Sequence, residues 1–268
     1  MLELLQITND PAFVRRCDAL DGLRFFVDLE RLGKAERQAG RDTFISQHRL
    51  DDVARVREAA RRNRLMVRVN PLHEGTAQEV DQVLAQGPDL LMLPMFRGAA
   101  EVERFAAIVA ERVPFTALLE TASALDTLPA WTGTPGLQEV FVGLNDLHLS
   151  LGHRFMFEPL AQGLVDQVGA TALRQGLRFG FGGIARLHEG LLPGQDVLAE
   201  HLRLRSGAVI LSRTFHRADD PAGFEAQVAA LRRAEEELAR RTTQQVEADR
   251  LRIAAAIRAI AERLPARG

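Results

Sequence analysis

Eight short, nearly uninterrupted apolar runs recur along the chain with helix-like segments between them, and no other feature restricts the fold as much. The runs lie at 4–9, 24–29, 64–70, 89–95, 115–121, 139–145, 178–184 and 208–213. Most are continuous rather than alternating, the pattern of strands buried on both faces of a parallel sheet. Between them, Asp10 and Pro11 open a helix through Phe13, Val14 and Cys17. Segments 50–63, 76–86, 99–112, 160–175, 195–204 and 221–231 repeat apolar residues at helical spacing. Stretch 122–130 leaves room for a short helix only, closed by Pro129 and the turn Gly133-Thr134-Pro135-Gly136. Eight strand–helix units predict an α/β fold, a (β/α)8 TIM barrel, with an open doubly wound sheet as the alternative. A chain of 268 residues suits one such barrel.

Two segments fall outside the repeat. Residues 32–47 form a polar insertion after the second strand, where a barrel keeps its functional loops. Residues 235–264 form a long charged helical pattern with Val246, Ile253, Ile257, Ile260 and Leu264 on a narrow stripe. The expected organisation is a barrel domain over 1–234 and an extended C-terminal helical arm over 235–268. Its stripe needs a cover, either the chain's own barrel or a second subunit of a homo-oligomer.

The formal charge is −2 with acids and bases interspersed, which argues against a nucleic-acid footprint or a membrane-surface patch. No apolar run approaches the ~18 residues of a membrane span. The start, MLELLQITND, lacks the basic and apolar regions of a signal peptide. Cys17 stands alone, so neither a disulfide framework nor a thiolate metal cluster is expected. A cytoplasmic location follows as the expectation.

A barrel's chemistry collects where strands end. Those ends carry Asn9, Asp28 with Glu30, Arg68 with Asn70, Pro94, Glu120, Asp146, Gly182-Gly183 and Ser212-Arg213. The set is rich in carboxylates and poor in histidine. Hard oxygen ligands with room for water and substrate suit Mg²⁺ or Mn²⁺ better than Zn²⁺. Either Glu120 or Asp146 alone reads as a helix cap. Together, on consecutive strands, they read as a metal site.

FVDLE at 26–30, RVN at 68–70, DLLMLP at 89–94, LLET at 118–121 and VGLNDLHLSLG at 142–152 stand in the order and spacing of the HpcH/HpaI aldolase/citrate lyase family, which the chain resembles over about 23–152. The resemblance implies a (β/α)8 barrel whose C-terminal helix often packs on a neighbouring subunit. It implies a divalent metal and the making or breaking of a carbon–carbon bond next to a 2-oxo acid or an acyl-CoA. Glu120 and Asp146 would be the metal ligands, Arg68 the cation beside the developing enolate oxygen, and Glu30 or Asp28 the groups that steady Arg68 or a metal-bound water. The partners would be a small 2-oxo acid and an aldehyde. An acyl-CoA lyase is the alternative within the superfamily, and a non-catalytic barrel acting as a binding or assembly subunit is the alternative outside it. Lys34, the only lysine, lies in the polar insertion, which disfavours imine chemistry.

The chain departs from its relatives' pattern after the second strand. Glu30 is followed by Arg31, where pyruvate aldolases of the family have the histidine that serves as base. His48, at the end of the insertion, is the candidate for that role, with metal-bound water as its rival. Gly182 and Gly183, within Gly180-Phe181-Gly182-Gly183-Ile184-Ala185, are poorly placed for a dinucleotide fold. Together with Ser212, Arg213 and Arg186 they are candidates for holding a substrate anion through backbone N–H groups. A tight packing turn is the competing reading. The two L-H-E-G segments, with His73 and His188, do not extend to a zinc-protease motif.

Overall fold

The computed structural model describes residues 1–33, 47–215 and 223–265. Eight parallel strands close into a barrel in chain order: β1 (Glu3–Ile7), β2 (Leu23–Asp28), β3 (Arg64–Arg68), β4 (Leu90–Leu93), β5 (Phe115–Leu119), β6 (Leu137–Val142), β7 (Arg178–Ile184) and β8 (Ala208–Leu211), with helices between them. The open-sheet alternative is thereby excluded. By its internal contacts the chain divides into two compact units, Leu5–Leu119 with Ser123–Val140, and Met1–Leu4 with Glu120–Ala122 and Phe141–Gly268. Residues 34–46 of the polar insertion, Lys34 among them, lie outside the described residues, as do 221–222 of the helix expected from 221.

In the first unit, every residue of β2, β4 and β5 is buried, which is why these strands read as unbroken apolar runs. Two charged residues of β2, Arg24 and Asp28, are hidden among them. Arg24 of β2 is fully buried and grips Glu139 of β6, Nη1 to Oε1 at 2.8 Å and Nη2 to Oε2 at 3.0 Å, while Thr116 of β5 donates to Oε1 at 3.2 Å. A buried pair persists only when its hydrogen bonds are supplied in this way. The helix Leu50–Ala59 stops short of the expected residue 63. There the backbone N–H groups of Arg61, Arg62 and Asn63 turn to the carboxylate of Asp18, at 2.8, 2.9 and 3.0 Å, and leave the helical ladder. Burial pushes the Asp18 carboxyl up, but the hydrogen bonds from Asn63, Arg61 and Arg62 outweigh it and hold the group below its ordinary range.

In the second unit, the expected single pattern 235–264 is two helices, Gly223–Leu238 and Thr243–Arg263. The break is chemical. Thr242 accepts from Gln245 N through its hydroxyl and donates its own N–H to Gln245 Oε1 at 2.8 Å, a reciprocal cap that starts a new helix. Ile253, Ala254, Ile257, Ile260 and Ala261 are buried, and the helix packs on the chain's own Glu158–Ala161 and Gly194–Arg203. Arg252 on Asp196 and Arg241 on Asp249 and the Ala199 carbonyl fasten it. Ile253, Ile257 and Ile260 of the stripe are therefore covered within the chain, while Val246 and Leu264 are half-buried. Among the described residues, no helix is long and apolar enough to cross a membrane.

Candidate active site

Asp28 ends β2 and Arg68 ends β3, and parallel register sets them side by side. Arg68 donates from Nε to Asp28 Oδ1 at 2.9 Å and from Nη2 to Oδ2 at 2.8 Å, the two-pronged geometry that fixes a guanidinium plane. Glu30 Oε2 stands 3.4 Å from Arg68 Nε, and the Phe26 ring lies under the guanidinium, 5.6 Å from its centroid. Both acids are almost fully buried, so one cation faces two carboxylates in a poorly solvated corner. The ion pair that competes with a catalytic reading of Arg68 is thus present in the fold.

The backbone N–H of Asp28 donates to Nδ1 of His48 at 3.1 Å. An amide nitrogen can only donate, so Nδ1 bears no proton and the neutral ring carries its proton on Nε2. His48 therefore presents a donor, the opposite of the base expected from the sequence. Arg31 links the two ends of the polar insertion, its Nη2 donating to the His48 carbonyl at 2.8 Å.

Asn70, expected to bind substrate, is engaged by its own chain. Its Oδ1 accepts from Arg31 N at 2.8 Å and Leu32 N at 3.0 Å, and its Nδ2 donates to Glu79 Oε1 at 2.7 Å. Glu79 also accepts from Asn70 N at 3.0 Å and meets His73 Nε2 at 3.0 Å. This bracing network was not legible in the sequence. Its only sign is an acid in the first turn of the helix Thr76–Leu84.

In the other unit, Glu120 follows β5 and is buried. The expected strand through residue 145 ends instead at Val142, and Asp146 sits in the first turn of the helix Leu144–Ser150. Gly143 makes the transition, its carbonyl accepting from Asp146 N at 3.2 Å and Leu147 N at 2.9 Å. The Glu120 side chain lies directly on this glycine. A Cβ there would stand 2.5 Å from Glu120 Cγ and 2.8 Å from its Oε1, closer than such atoms come. Gly143 is thus the bare spot that lets the Glu120 carboxyl rest on the turn presenting Asp146. As hard oxygen donors, two carboxylates suit Mg²⁺ or Mn²⁺, which keep several water ligands. Among the described residues, no group of three or more His, Cys, Asp or Glu is arranged to hold a metal.

Gly182 and Gly183 do not follow β7 but lie within it, so their N–H groups do not form the expected anion nest. Gly180 pairs with Ala208 and Gly183 with Ile210 across an irregular register. A Cβ on Gly180 would meet Phe141 at 2.6 Å, and one on Gly182, at φ +55°, would meet Leu144 Cδ1 at 2.9 Å. These glycines permit a bulge and close packing. Ser212 follows β8, bonding through its N–H to Ile184 O at 2.9 Å and through its hydroxyl to Thr214 at 2.8 Å, and Arg213 begins a short 3-10 turn.

Residues 27–158 match the model of the HpcH/HpaI aldolase/citrate lyase family. Through this segment the chain belongs to that family. No curated protein matches the chain. Among solved structures, an HpcH/HpaI aldolase/citrate lyase family protein from Burkholderia cenocepacia is 18% identical, with 88% of this chain and 94% of that one covered at a TM-score of 0.60. A citrate lyase from Burkholderia xenovorans is 16% identical, with 99% and 94% covered at 0.61. CitE from Mycobacterium tuberculosis, solved with magnesium, acetoacetate and coenzyme A, is 14% identical, with 95% and 87% covered at 0.58. At such identities the likeness carries the fold alone. Membership in an aldolase/citrate lyase family supports an enzyme of the lyase class. The family segment contains Asp28, Glu30, Arg68, Glu120 and Asp146, whereas Gly182, Gly183, Ser212 and Arg213 fall beyond it.

Proposed function

We propose that this HpcH/HpaI family member is a divalent-metal-dependent carbon–carbon lyase that makes or breaks the bond next to a 2-oxo acid, with an aldehyde as the other fragment. The observation that carries the reading is the seat of the Glu120 carboxyl on Gly143, at the turn that begins the helix bearing Asp146. A helix cap needs no such seat. Glu120 and Asp146 would hold the ion, Mg²⁺ or Mn²⁺. When bound, it supplies a Lewis acid for a substrate oxygen, an effect of several kcal/mol on a developing negative charge.

The chain's own groups do the rest. When the bond breaks, its electron pair passes to the carbonyl of the 2-oxo acid, and the hydroxyl proton passes to water as the aldehyde forms. Asp28 keeps the Arg68 guanidinium from turning, and the family resemblance gives that fixed positive charge to the enolate oxygen. His48, neutral with its proton on Nε2, is suited to donate a hydrogen bond to a substrate oxygen rather than to take the proton on the hydroxyl.

Deuterium exchange at C3 of pyruvate tests this without the natural aldehyde. The expected result is exchange that requires Mg²⁺ or Mn²⁺, stops on chelation and returns when the ion is restored. Metal-independent exchange, or none with either pyruvate or oxaloacetate, contradicts the proposal. Exchange confined to the α-protons of an acyl-CoA moves the reading to the citrate lyase side of the family.

A further inference from the structure

A cavity of about 610 Å³ opens beside the carboxyl ends of β2 and β3, between the helices Leu50–Ala59 and Thr76–Leu84. That volume lies within the roughly 300–1,000 Å³ typical of small-molecule sites. Its apolar surface comes from Leu29, Leu50 and Val83. Its charged lining is unbalanced. Among the described residues, Arg31 and Arg49 supply two guanidiniums against the single carboxylate of Glu79.

That carboxylate is already engaged. One oxygen accepts two N–H groups of Asn70, and the other faces His73. Among the described residues, the Arg31 guanidinium meets a carbonyl, that of His48, and no carboxylate forms a salt bridge with it. Arg49 is exposed, and among the described residues no carboxylate forms a salt bridge with it. An apolar floor beneath a cationic rim selects one class of ligand. A cation meets two arginines, and a small inorganic anion leaves the floor unused.

We infer that this cavity binds an amphipathic anion, an apolar body of about eight carbons ending in a phosphate or carboxylate, whatever reaction the chain performs. The apolar part removes the half-buried Leu29 and Leu50 from water, and the head reaches Arg49 and Arg31. Gln82 lies on the same lining, exposed on its helix, and a charge placed there acts on the head through space.

Isothermal titration of the whole chain with octyl phosphate, octanoate, octyl glucoside and inorganic phosphate tests the inference. Octyl phosphate or octanoate is expected to bind one to one, more weakly as salt rises. Arg49→Gln and Gln82→Glu should each weaken that binding at least fivefold, and Gln82→Lys should tighten it. Both positions are exposed, and circular dichroism checks that the variants keep the wild-type fold. Octyl glucoside binding as tightly as the anions, inorganic phosphate binding as tightly as octyl phosphate, or affinity indifferent to charge at both positions overturns the inference.

Discussion

Arg68 and Asp28 face each other as the last residues of neighbouring strands, joined by hydrogen bonds of 2.9 and 2.8 Å. The same aspartate, through its backbone N–H, sets the tautomer of His48. One residue therefore fixes both the direction of a positive charge and the identity of a hydrogen-bond donor.

Arg68→Lys keeps the charge but cannot reproduce both bonds to Asp28. Turnover in the proposed reaction should fall by about 10²–10³, the usual consequence of losing one aligned donor at a developing oxyanion. Steady-state kinetics beside a thermal melt separates the roles. A large fall in Tm with little change in kcat marks the arginine as structural.

Gly143→Ala adds one methyl group where Glu120 lies. The carboxyl must move off the turn, so affinity for Mn²⁺ should fall by about 10–100-fold, as when a supporting group of a metal site is lost. Titration calorimetry measures it. Wild-type affinity in a folded Gly143→Ala protein contradicts the seat assigned to Glu120.

His201 is fully buried against Phe181, with its rings 3.8 Å apart. Burial pushes its pKa down to about 3, from 6.5. Between those values the unfolded chain holds a proton that the folded chain does not, so stability declines as pH falls through that window. The slope from this residue is at most about 1.4 kcal/mol per pH unit. Urea melts from pH 7 to 4 should show a shallower decline for His201→Phe than for wild type, and parallel curves remove His201 from the acid response.

Glu139→Gln leaves the Arg24 charge buried without its partner, which costs about 3–5 kcal/mol. The double variant Arg24→Met, Glu139→Leu should recover most of that loss. Equilibrium unfolding of the set decides it, since a double variant no better than the single one points to packing rather than charge.

How far the sequence foretold these features depends on where each partner lies. The eight strands were legible because burial on both faces leaves an apolar run, and Arg178–Ile184 matches its expected limits. Glu120 was legible as an acid placed just after such a run. Asp146 was read as a strand end, because Gly143 is silent about its turn until Glu120 is seen lying on it. The pairing of Arg24 with Glu139 joins residues far apart in the chain, which no local pattern encodes. The misreading of His48 has a simpler cause: its partner is a backbone N–H, present at nearly every residue. Gly182 and Gly183 looked like an anion cradle because a bulge and a nest call for the same glycines.

Everything proposed for catalysis rests on the grip of Glu120 and Asp146 on one divalent ion. Electron paramagnetic resonance of Mn²⁺ titrated into the protein measures it directly, by the loss of free-ion signal. One tight site per chain in wild type, absent from Glu120→Gln and from Asp146→Asn while both remain folded, is the predicted result. An unchanged Mn²⁺ site in either variant, or no site in wild type, contradicts the account.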